Sequence, residues 1–125
     1  MGKKIIVSNK LPAAGPYSTA MEANGFIFLS GQLPVNPATG EIINDIKDAT
    51  RQVLANIQSV ITEAGLTMSD IVKTTIFLNN ISDFPIVNEI YAEFFPHEPP
   101  ARSTIEVSNL PKGAPIEIEA IAVRK

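Results

Sequence analysis

Arg102, Thr104 and Glu106 occupy every second position of "RSTIEV", and Glu117 and Glu119 do the same in "PIEIEAIAV". Alternate side chains of an extended strand point to one face, so the first run gathers a cation, a hydroxyl and a carboxylate. Ser103, Ile105 and Val107 then lie on the other side. If Glu117 shares the face of Arg102, the group suits a small carboxylic acid. A guanidinium binds a carboxylate through two parallel hydrogen bonds, which an ammonium cannot copy, and a glutamate can move a proton. The same pattern also reads as an ion pair from Arg102 to Glu117 or Glu119 that only joins strands or subunits. Glu117 and Glu119, about 7 Å apart along a strand, imitate a glycosidase pair, but the chain has no tryptophan to stack on a sugar.

Other chemistries lack their residues. With no cysteine there is no disulfide framework, thiolate nucleophile or cysteine metal site. His97 is the only histidine, which excludes a multi-histidine metal site, and its place between Pro96 and Glu98 reads as surface. "GLTMSD" and "SGQ" lack the length and spacing of phosphate loops. A formal net charge of −3 with scattered lysines offers no basic field for a nucleic-acid backbone. No apolar run reaches the length of a signal peptide or a membrane span, so a cytoplasmic protein is expected.

The 125 residues, 45% hydrophobic and 18% charged, suit a single domain over 1–125 with one core. Asn24-Gly25 before "FIFLSGQLP" predicts a hairpin over 18–30, and "VNPATGE" predicts a loop. Ile46, Ala49, Val53, Leu54, Ile57, Val60, Ile61 and Ala64 keep helical spacing, with Asn44 or Asp45 to cap and Gly65 to stop. The β-branched run at 71–79 predicts a strand covered on both faces. A second helix follows, with Ser82 as its cap, Pro85 in its first turn, and Phe84, Val87, Tyr91, Phe94 and Phe95 along one face. Two alternating strands close the chain. The order β-β-β-α-β-α-β-β describes an α+β sandwich with the helices on one sheet face. On the last strand Ile116, Ile118, Ala120 and Ala122 face that core, which leaves Glu117, Glu119, Ile121 and Val123 opposite. Ile121 and Val123 would then be bare in a lone chain, and a partner subunit is the simplest cover.

"GPYS" at 15–18, "SGQ" at 30–32, "DIVKTTIFL" at 70–78, "VNEIY" at 87–91, "PARS" at 100–103 and "IEIEAIA" at 116–122 together resemble the RidA family, formerly YjgF, of reactive-intermediate deaminases. The resemblance runs through nearly the whole chain. It implies a chorismate-mutase-like fold, a homotrimer with a central barrel, and ligand clefts between subunits. It also implies hydrolysis of 2-imino acids such as 2-iminopropanoate and 2-iminobutanoate to 2-oxo acids and ammonia, with no cofactor or metal. By position, Arg102 is the carboxylate-binding arginine and Glu117 the carboxylate that orients water; Tyr17, Ser30, Gly31 and Asn88 line the cleft. Many members carry cysteine where this chain has Thr104 and glutamine where it has Thr19. The Thr104 hydroxyl can still bond substrate or water. A trimer that senses small 2-oxo or amino acids without turnover is the alternative function.

Overall fold

A computed structural model describes residues 2–125. Its strands are β1 (Lys4–Ile6), β2 (Ala20–Ala23), β3 (Phe26–Gln32), β4 (Ile71–Leu78), β5 (Ala101–Glu106) and β6 (Ile116–Val123); its helices are α1 (Ile46–Glu63) and α2 (Phe84–Phe94). The predicted order is therefore observed. The strands form one sheet in the order β1-β2-β3-β6-β4-β5, antiparallel except for the parallel pair β4–β5. The parallel step is possible because α2 carries the chain back across the sheet between those strands.

Local chemistry sets the element ends. Asn24 and Gly25 both take positive φ, 51° and 81°, which the tight turn between β2 and β3 demands. Asp45 caps α1 by accepting from the Asp48 backbone N–H at 3.1 Å, and Gly65 leaves the helix at φ 81°. Ser82 does not cap α2. It lies in a preceding 3₁₀ turn, where Asn80 Oδ1 accepts from its N–H and hydroxyl, and Asp83 takes the cap position without a side-chain bond. Asn at the start of that turn outcompetes the serine because its carbonyl reaches two donors at once.

Both helices pack on one sheet face. Fully buried Leu54, Ile57, Ile61 and Ile90 meet Ile27, Ile76, Leu78, Ile116 and Ile118, each worth about 1.5–3 kcal/mol of apolar burial. The opposite face has no second layer among the described residues. Phe26 is 43% exposed, Phe28 44% and Ile105 46%, while Ile121 and Val123 are half-buried. Strand β4 thus departs from expectation: Ile71, Thr74, Ile76 and Leu78 are buried, but Lys73, Thr75 and Phe77 are only half-buried. Its β-branched run reads as doubly covered, yet one chain supplies a cover to one side only.

Candidate active site

Glu117 stands on the helix-free face of β6, directly opposite Phe77 of β4. On its other side β3 is irregular. Leu29 pairs with Ala120 and Gln32 with Ile118, so β3 spends one more residue than β6 over that interval. This bulge turns Ser30 and Gly31 toward the glutamate. The Glu117 carboxylate rests where a side chain at Gly31 would be: a Cβ there would fall 2.8 Å from Glu117 Cδ and closer still to Oε2. The residue at 31 therefore has to be glycine if the carboxylate is to keep this place.

Around this pair opens a cavity of about 880 Å3, lined among others by Tyr17, Thr19, Ser30, Gly31, Glu117 and Glu119. Its walls are tied down by hydrogen bonds. The Ser30 hydroxyl donates to Ser18 O at 2.7 Å, and the buried Thr19 hydroxyl donates to Leu11 O at 2.8 Å. Ser8 in turn bonds Glu63 of α1 at 2.7 Å. On the far wall, Asn56 Nδ2 donates to Leu33 O at 3.0 Å and Val35 O at 2.9 Å, while its own oxygen accepts from Gln52. Tyr17 is 54% exposed and stands at the mouth, its hydroxyl oxygen accepting weakly from the Ala14 N–H. Burial, and secondarily the negative charge of Glu119, push the Glu117 carboxyl above its usual range. Such a carboxylate is a stronger base than a solvated one and holds a proton more readily as an acid.

Arg102 lies elsewhere. It pairs with Thr74 across the parallel β4–β5 ladder, and Thr74 pairs with Ala120, a core-facing residue of β6. Opposed residues share a face, so Arg102 and Thr104 project to the helix side while Glu117 projects to the other. The convergence of cation, hydroxyl and Glu117 on one face of a single chain is therefore overturned. The guanidinium packs on α2, with Cζ 5.3 Å from the Phe84 ring centre and 4.8 Å from that of Tyr91. Among the described residues it makes no salt bridge. The ion pairs are Arg51–Glu93 and Arg124–Glu22, so no bond to Glu117 or Glu119 joins strands within the chain. Tyr91 is buried, its hydroxyl sharing a 2.7 Å hydrogen bond with that of Thr74; burial raises its phenol above the usual value. Asn88 sits on α2 one turn from both rings. Thr104 Oγ1 is buried with no hydrogen-bond partner among the described residues.

The predicted site residues thus form two groups, Tyr17, Ser30, Gly31 and Glu117 around the cavity, and Arg102, Thr104 and Asn88 on the β5–α2 side. His97 is exposed, as expected. Phe84, Tyr91, Thr74 and Asn56 were not foreseen as neighbours of the site. Asn56 carries a signal of its own, a polar residue in register with Val53 and Val60 on the buried stripe of α1. Phe84 and Tyr91 carry none, since aromatic residues on a helix face read as core.

Residues 7–124 match the family model described as endoribonuclease L-PSP. The chain is 46% identical over 128 residues, covering all of both sequences, to the 2-iminobutanoate/2-iminopropanoate deaminase of Escherichia coli strain K12. It is similar to the crystal structure of the Rid-family protein YyfA from Yersinia pestis, with a TM-score of 0.93 and 52% identity over 98% of this chain and 99% of that one. It is likewise similar to Escherichia coli TdcF with bound serine, with a TM-score of 0.91 and 44% identity over 98% of this chain and 99% of that one.

Proposed function

This chain belongs to the endoribonuclease L-PSP family, which includes the YjgF and Rid proteins, and from that premise we propose that it hydrolyses reactive 2-imino acids and their enamine tautomers to 2-oxo acids and ammonia. Its substrates are 2-iminopropanoate and 2-iminobutanoate, the compounds in the name of the full-length Escherichia coli relative. The observation that carries the mechanism is Glu117, a carboxylate with a raised proton affinity, seated against Gly31 in an open cavity and free of any ion pair among the described residues.

Ionised Glu117 takes a proton from water as the oxygen adds to C2 of the protonated imine, giving a carbinolamine. The carboxyl returns that proton to nitrogen, the C–N bond breaks, and the hydroxyl proton is shed as the carbonyl forms. Imine and water become 2-oxo acid and ammonia. Atoms balance with water alone, and no electron is transferred. Free imines already hydrolyse in water, so positioning supplies most of the required rate. Arg102 grips the substrate carboxylate with both arms of its fork, and the unpartnered Thr104 hydroxyl and Asn88 complete that side.

Because Arg102 and Glu117 project to opposite faces, this reading needs a second copy, whose Arg102 reaches the Glu117 cavity. The bare apolar face of Phe26, Phe28, Ile105, Ile121 and Val123 supports such an assembly, and a homotrimer with three intersubunit clefts is the arrangement we adopt. A cytoplasmic setting belongs to the same reading; no helix of the described residues is long and apolar enough to cross a membrane. Serine bound in the TdcF structure favours a second reading, ligand sensing without turnover. A net charge of −3 opposes RNA binding. The test feeds purified protein with imines generated in place by an amino-acid oxidase and follows their disappearance against a scavenger. Acceleration by the wild type and none by Glu117→Gln supports the hydrolase; no acceleration by either leaves the sensor.

A further inference from the structure

Two of the three arginines are neutralised by acids, Arg51 by Glu93 at 2.6 Å and Arg124 by Glu22 at 3.0 Å. Arg102 instead rests on two aromatic rings, at 5.3 Å and 4.8 Å from their centres, inside the distance of about 6 Å at which a ring face attracts a cation. One of those rings is fixed. Tyr91 is 5% exposed, its hydroxyl is bonded to Thr74, and its ring lies 4.7 Å from that of Phe95. A ring offers a guanidinium no carboxylate or carbonyl oxygen, so a guanidinium attracted to rings keeps N–H donors for another acceptor. A carboxylate neighbour would do the opposite, occupying the fork and cancelling the charge.

We propose that Phe84 and Tyr91 are positioning residues that aim the Arg102 guanidinium while leaving its charge and its fork available to the carboxylate of the substrate. Thr74 anchors the cradle from β4, the strand that pairs with Arg102's own. The inference deepens the carboxylate-clamp reading of Arg102 and rests on it. It also accounts for two aromatic residues spaced seven apart on α2, two helical turns, facing a single cation.

The experiment titrates the intact wild type and variants with pyruvate and 2-oxobutanoate by calorimetry and records thermal melting beside it. Phe84→Leu, at a half-exposed position, should weaken binding about 5- to 10-fold with little change in melting. Tyr91→Leu should weaken it similarly. Tyr91→Phe should restore most of that affinity, since the ring remains, yet melt lower than wild type because Thr74 loses its partner. In the Arg102→Lys background, Phe84→Leu should add little further loss. Wild-type affinity in Phe84→Leu, or failure of Tyr91→Phe to recover affinity lost in Tyr91→Leu, overturns the cradle. Arg102→Lys separates the two ideas: if it binds 2-oxo acids normally, the clamp itself is wrong, whereas if it binds weakly and the ring variants bind normally, only the cradle fails.

Discussion

Gly31→Ala tests the seat of Glu117 without touching the glutamate. A Cβ at position 31 would lie 2.8 Å from Glu117 Cδ and 3.1 Å from Cγ, and would overlap Oε2. Carbon atoms settle at about 3.5–4.0 Å, so the carboxylate has to withdraw by about 1 Å. The three atoms nearest to that Cβ all belong to the one flexible side chain, and Gly31 is not among the residues with positive φ. The backbone can therefore accept alanine, and the smaller entropy of the unfolded chain offsets part of any cost, by about 0.4–1 kcal/mol. Displacing a catalytic base by about 1 Å costs on the order of 100-fold in rate. Gly31→Ala should accordingly melt within a few degrees of wild type while imine turnover falls about 100-fold. Full activity in a folded Gly31→Ala protein would refute the placement of the proton-transfer step at Glu117. A large drop in melting temperature would refute the claim that only a flexible side chain has to move.

Glu117→Gln should retain assembly and 2-oxo acid binding but lose most hydrolysis in the same oxidase-coupled assay, because an amide neither takes nor returns the proton. The pKa of Glu117 is raised in the folded protein, so its contribution to stability is complete below the ordinary carboxylate value and is lost as pH rises through the raised one. Glu117→Gln should then gain in melting temperature relative to wild type across that window, and wild-type kcat/KM should fall on the acid side with an apparent pKa above that of a solvated glutamate. A constant melting difference with pH would contradict the shift. Arg102→Lys should keep the oligomer, read by light scattering, and lose about 30- to 1000-fold in kcat/KM, equivalent to about 2–4 kcal/mol for a bidentate charged contact; near-normal turnover would remove the clamp. Asn56→Leu strands two carbonyls in the cavity wall and should cost about 2–4 kcal/mol in denaturant unfolding, with KM raised more than kcat is lowered.

The hairpin, the two helices and the inward face of β6 were legible because each depends on residues adjacent in sequence: Asn24-Gly25 demands its turn, Asp45 and Gly65 bound their helix, and alternation separates Ile116 and Ile118 from Glu117. The relation between Arg102 and Glu117 was not legible. Alternation assigns faces within a strand, but the parity between β5 and β6 passes through β4, and one slip of register reverses it. That register depends on a parallel pairing reached across α2, and β4 and β3 each carry an irregularity against β6. The partners of Arg102 were hidden for a related reason. Phe84 and Tyr91 satisfy a core pattern, and only the fold reveals that the core ends in a cation.

Separation of the two charged groups has a chemical consequence. Had Arg102 stood beside Glu117 in the chain, the pair would have bonded, the glutamate's proton affinity would have fallen, and the fork would have been occupied before any substrate arrived. Instead burial, joined by the negative charge of Glu119, raises the affinity of Glu117 for a proton, and Arg102 is held by rings that leave its charge intact. Each group thus keeps, in the isolated chain, the state that imine hydrolysis asks of it. When subunits bring the two together under the proposed assembly, the substrate carboxylate is the ligand that suits the fork, and Glu117 remains free for water.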